Sequence, residues 1–254
     1  MRTFLIQLRK ELREQWRTRK ALVVVIVLVA FGLMSPIIAK LTPDLLEALG
    51  EGQLGEVQII LPEPSARDAV DQFVNNVTQF GLLLAVLVGF SGIVGERERG
   101  QLALVFPHPL PRRTFVLAKF AALAILFGVA VLLGALADYA YTAILFEAQD
   151  IGRFTAMVAL IYVWLLCLIA LTLLASALGR SMTGAGALAF GFVLLLSLLG
   201  MFTNLAPGTL TGWGAALAKE IDAPARWGAL AVTLAITVLS VAGSALILER
   251  QEIE

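Results

Sequence analysis

From Ala21 to Ala39 the chain carries no charged residue, and Lys20 and Lys40 bound that run. A helix rises about 1.5 Å per residue and the hydrocarbon of a bilayer is about 30 Å thick, so about 20 apolar residues cross it. Five further stretches of this kind follow: 77–95, 115–146, 154–178, 184–203 and 228–248. The second of these is interrupted only by Lys119 near its start and Asp138 near its end. Lipid offers no partners to backbone N–H and C=O groups, so each stretch must satisfy its own and is read as a helix. The expectation is an all-α membrane protein with six transmembrane helices in one membrane domain, 1–254. Composition agrees: 15% of residues are charged and mean hydropathy is +0.88, where soluble domains are nearer a quarter charged.

Orientation follows from the basic residues of the connections. Of the 19 basic residues, all but Lys40, Arg67, Arg153, Lys219 and Arg226 fall on one side of the six spans. That side is expected to be cytoplasmic, with both termini inside. The 40–76 connection is expected as an acidic external loop, with a helix N-cap at Ser65 and Asp68 three residues on. The long charged arm before residue 21 lacks a clear cleavage site and is read as retained rather than as a signal peptide.

Net charge is zero, which gives no basic excess for nucleic acid. Cys167 is the only cysteine and His108 the only histidine, so neither an intrachain disulfide nor a cysteine- or histidine-based metal site is expected. No catalytic set is apparent. The sequence contains no G-x-x-x-x-G-K-[ST] motif, the loop whose amides cradle nucleotide phosphates.

Residues 1–20 form the first segment of interest. Phe4, Leu5, Leu8, Leu12 and Trp16 recur at helical spacing, with Arg9, Arg13, Arg17 and Lys20 largely on other faces. This predicts an amphipathic interfacial helix lying on the membrane surface, an elbow before the first span. The second segment is the connection 96–114. Four alternating charges, Glu96-Arg97-Glu98-Arg99, lead through Gly100 to an apolar run containing Leu102, Leu104 and Phe106, then to a proline-rich turn and Arg112-Arg113. Apolar residues beside such charges seek headgroups or a partner protein.

Within the membrane, Asp138 either contacts substrate, gates protons, or sits at the outer interface bonded to neighbouring helices, flanked by Tyr139 and Tyr141. Phe80, Phe90, Phe190 and Phe202 are candidates, with Asp138, for lining a translocation path; lipid-facing packing is the alternative for each phenylalanine. Glycines in the second and fifth spans permit close helix packing.

The stretch Ile93-Val94-Gly95-Glu96-Arg97-Glu98-Arg99-Gly100, then a leucine-rich run, Pro109-Leu110-Pro111-Arg112 and Lys119 at the opening of span three, resembles the permeases of ABC type 2 exporters. Arg9-Lys10-Glu11-Leu12 resembles the opening helix of that family. The resemblance implies that Glu96 to Phe106 forms a coupling helix seated on a separate ABC ATPase subunit. It implies a second, smaller contact at the turn around Arg180. It also implies a second permease copy, identical or paralogous, and ATP with Mg held by the partner subunit rather than by this chain. The expected function is the membrane subunit of an ATP-driven exporter of a hydrophobic or amphipathic substrate, in a prokaryotic inner or plasma membrane. A non-transporting membrane scaffold and an intramembrane enzyme are the alternatives.

Overall fold

A computed structural model of the chain describes residues 2–50, 63–100 and 111–250. Among them every regular element is a helix: α1 (Arg2–Arg17), α2 (Lys20–Gly50), α3 (Ala66–Gly89), α4 (Ser91–Glu98), α5 (Arg112–Leu145), α6 (Ile151–Leu178), α7 (Met182–Phe202), α8 (Thr209–Ala218) and α9 (Trp227–Arg250). Six spans are long and apolar enough to cross a membrane: Lys20–Leu45, Ala66–Glu98, Arg112–Leu145, Ile151–Leu178, Met182–Phe202 and Trp227–Arg250. The second comprises α3 and α4 together.

The 40–76 stretch is not a plain loop. Helix α2 runs through Pro36 and Pro43 to Gly50, and α3 begins at Ala66. The α3 start follows the sequence signal, because the Asp68 carboxylate accepts the backbone N–H and the hydroxyl of Ser65, both at 2.8 Å. Helix α1 ends where Arg19 adopts φ 59°, a left-handed turn that redirects the chain into α2.

The core is organised around α6, 67% of whose most apolar stretch is buried, against 17% for α7. Helices α3, α7, α8 and α9 all pack on α6, while α5 packs mainly on α2. Helices α2 and α5 approach backbone to backbone. A Cβ on Gly32 would overlap the carbonyl of Gly134, and one on Gly134 would lie 2.7 Å from the carbonyl oxygen of Leu28. Small residues of this kind let helices associate in lipid, where no hydrophobic drive brings them together. Span two breaks between Gly89 and Ser91, where Gly89 is pressed against Thr172 of α6. The new helix α4 then begins with no side-chain cap from Phe90, its own N-cap residue. Ser176 of α6 supplies one instead, its hydroxyl accepting the N–H groups of Ile93 at 2.9 Å and Val94 at 3.0 Å. First-turn amides have no intrahelical acceptor, and in lipid they need one.

Candidate functional site: a charged junction of α1, α4 and α5

The face that α1 turns to the bundle is polar. Gln7, Glu11 and Gln15, spaced by four, are buried, while Leu5, Ile6 and Trp16 point outward. In a soluble protein this arrangement would be inside out. At a membrane surface it is favourable, because lipid accepts the apolar side chains and the protein interior supplies ionic partners for the rest.

The principal partner is Lys119 in the second turn of α5. Its Nζ donates to Glu11 Oε2 at 2.9 Å and to Glu96 Oε1 at 2.8 Å, and it lies 4.9 Å from the centre of the Phe115 ring. Gln7 Nε2 donates to Glu11 Oε1 at 2.8 Å, and Lys10 Nζ lies 3.4 Å from Glu96 Oε1. Lys20 Nζ donates to Ser91 Oγ at 3.1 Å. Glu11, Glu96 and Lys119 are each under a tenth exposed. Buried ions of this kind are tolerated only when paired and hydrogen-bonded. Oxygens of Glu11, Glu14 and Glu96 lie within 4.8 Å of one another, a spacing that a metal ion would accept. The charge of Glu11 and Glu96 is met instead by the Lys119 ammonium. A cavity of about 60 Å³ borders the cluster, room for water beside Glu96 Oε2, which has no hydrogen-bond partner among the described residues.

Helix α4 is also tied to the α6–α7 turn. Arg97 Nη1 donates to the Gly179 carbonyl at 2.7 Å, and Nη2 reaches the Ala177 carbonyl at 3.5 Å. These are carbonyls at the end of α6, where a cation is favoured. Glu98 Oε1 accepts the N–H of Met182 at 2.8 Å, at the first turn of α7, where a carboxylate is favoured. Ser181 caps the same helix through Gly184 N.

The sequence-predicted residues therefore separate into groups. Glu96 faces inward and is not surface for a partner, because its carboxylate holds Lys119. Arg97 and Glu98 clamp the α6–α7 turn. Arg99, Gly100 and Arg180 are exposed, with Gly100 at φ 67°, a conformation suited to glycine. The segment expected near α4 and the turn carrying Arg180 are thus brought together. Leu102, Leu104 and Phe106 lie outside the described residues. On α1, Arg9, Arg13, Trp16 and Arg17 are all exposed.

The five residues considered for a translocation path sit in different surroundings. Phe80 stacks on Phe31 with ring centres 4.0 Å apart, and Phe90 sits half-buried at the α3–α4 break. Phe190 and Phe202 of α7 point outward, 64% and 85% exposed. Asp138 is fully buried in α5, and neither of its carboxylate oxygens has a hydrogen-bond partner among the described residues. Among the described residues no neighbouring helix donates a hydrogen bond to it. Tyr139 bonds the Gln149 carbonyl at 3.1 Å and packs on Phe154.

Sequence reasoning missed the roles of Gln7, Glu11, Gln15, Thr172 and Ser176. The four-residue spacing of the first three was a readable signal. No signal in the chain marked Ser176, whose task is set by another helix.

Comparison with known proteins agrees with this architecture. Residues 5–212 match the family described as ABC-2 family transporter protein. The chain is similar to the uncharacterized transmembrane protein YxlG of Bacillus subtilis (strain 168), 23% identical over 197 residues that cover 78% of this chain and 76% of that protein. With six apolar spans and a family match over most of its length, the chain is a multi-pass membrane protein that belongs to the ABC-2 transporter family.

Proposed function

We propose that this protein is the permease subunit of an ATP-driven exporter whose ATPase is a separate polypeptide. One observation carries the reading: the exposed end of α4 is mechanically joined to four other helices. Lys119 links Glu96 of α4 to α5 and α1, and Arg97 and Glu98 link it to α6 and α7. A partner pressing on Arg99, Gly100 and the nearby Arg180 turn would displace these elements together. Such a joint suits a device with two arrangements, each favoured by a different nucleotide state of the partner.

In this reading the end bearing α1 and the arginine-rich connections faces the cytoplasm. ATP and Mg bind to the partner subunit. The exposed outer face of α7, with Phe190, Leu195 and Phe202, meets a second permease copy, and the substrate path lies between the two copies rather than within one. The apolar character of that face favours a hydrophobic or amphipathic substrate.

The test is purification of the full chain from its native host. A P-loop ATPase is expected to co-purify, and Arg99→Glu with Arg180→Glu is expected to release it while leaving the permease folded. Transport by the purified chain alone, without any ATP-hydrolysing companion, would defeat the proposal.

A further inference from the structure

Toward the end of the bundle that carries α1, helices α5 and α9 border an apolar groove of about 550 Å³. Its floor is Val241 and Ala245, both buried. Its rims are Leu117, Val238 and Leu246, each about half exposed or more. Arg113 stands at the mouth. Ala242 and Ala245 are the small side chains that α9 contributes to the lining of the groove.

The mouth is positively charged. Arg113 Nε donates to Glu249 Oε1 at 2.7 Å, and its side chain is 67% exposed. Arg112 Nη1 donates to the carbonyls of Leu248 and Glu249 at the end of α9. Arg250 follows on the same turn and is exposed. Two guanidinium groups therefore converge on the end of α9, Arg113 on the Glu249 carboxylate and Arg112 on the neighbouring carbonyls, beside the apolar groove.

We propose that this groove is a binding site for one anionic phospholipid, with an acyl chain along Val241 and Ala245 and the phosphate at Arg113. Guanidinium matches phosphate oxygens in a forked geometry. Basic pockets between transmembrane helices are known to hold anionic headgroups. A zwitterionic lipid brings its own cation to the same mouth, where Arg113 and Arg112 oppose it, so the site distinguishes the two classes. A protein helix seated in the groove would gain from that charge only by placing an acidic side chain or its C-terminus at the same level. The inference requires only that the bundle spans a membrane, and it is independent of any ATPase partner.

The experiment uses the full-length protein in detergent, with phosphatidylglycerol and phosphatidylcholine of identical acyl chains offered in competition. Retained lipid is read by native mass spectrometry. The wild-type protein should retain one phosphatidylglycerol in preference, by about fivefold or more, the worth of one arginine near an anionic surface. Arg113→Gln should erase most of that preference. Glu249→Gln removes the carboxylate that competes with phosphate, and should raise it. Ala242→Leu, which narrows the groove, should reduce retention of both lipids. Equal retention of the two lipids by the wild-type chain overturns the proposal. So does a shift in the same direction for Arg113→Gln and Glu249→Gln, the signature of an ion pair with a structural role only. Disulfide capture of a second copy through Val238→Cys would likewise overturn it, by showing that protein fills the groove.

Discussion

Ser176 and Ile93 meet across 83 residues of sequence, the hydroxyl of one accepting the backbone N–H of the other at 2.9 Å. The same oxygen serves Val94, so one side chain on α6 completes the start of α4. Ser176→Ala is predicted to strand both amides in a dry interior, at a cost of about 1–3 kcal/mol. Thermal unfolding in detergent reads the loss, and hydrogen exchange at Ile93 and Val94 should quicken. Unchanged exchange at both amides would show that α4 is capped in some other way.

Lys119 bridges two buried carboxylates, and removing it leaves both without their principal cation. We predict that Lys119→Met destabilises the protein by about 3–5 kcal/mol. Combining it with Glu11→Gln and Glu96→Gln should restore much of that loss, since neutral groups are far cheaper to bury than unpaired ions. If the triple variant melts no higher than the single one, the ionic network is not what holds α1 to the bundle.

The crossing of α2 and α5 leaves no room for a methyl group. Gly134→Ala is predicted to cost about 1–3 kcal/mol through overpacking, because the new Cβ would lie 2.7 Å from the Leu28 carbonyl oxygen. Gly191→Ala is the control. Nothing lies within 4 Å of a Cβ built there, and alanine favours a helix. Equal melting temperatures for the two variants would mean that the helices do not touch along this seam.

The outer face of α7 is predicted to adjoin a second copy. Leu195→Cys in a Cys167→Ala background should give a disulfide-linked dimer in membranes, whereas Leu132→Cys on α5, also exposed, should not. A monomer from both would place the second copy elsewhere or remove it.

Glu98 is predicted to transmit motion rather than to bind the partner. Glu98→Ala loses a charge-assisted contact at the start of α7. It should uncouple ATP hydrolysis from transport while the ATPase still co-purifies. Loss of co-purification would instead put Glu98 at the docking surface itself.

The helical class and the number of spans were legible in the sequence because lipid permits so few alternatives. Apolar length alone decides them, and Ala21 to Ala39 needs no tertiary knowledge to be read. The Ser65–Asp68 helix start was legible for a similar reason, since both partners lie within one turn. Glu96 was not. Its neighbours Arg97 and Arg99 suggest a local pairing, yet its partners come from residues 10 and 119, and sequence adjacency carries no information about either. The outward direction of Phe190 and Phe202 was hidden too. In lipid, an apolar residue is equally at home facing solvent chains or a neighbouring helix, so composition cannot distinguish the two.

Glu11 and Lys119 are separated by 108 residues, and this has a temporal meaning. A ribosome delivers α1 long before it delivers α5, so the polar stripe with Glu11 must wait at the water boundary while two spans insert without it. The elbow can lock only after the third span arrives, and its docking therefore reports that the first half of the bundle has been threaded in the right order.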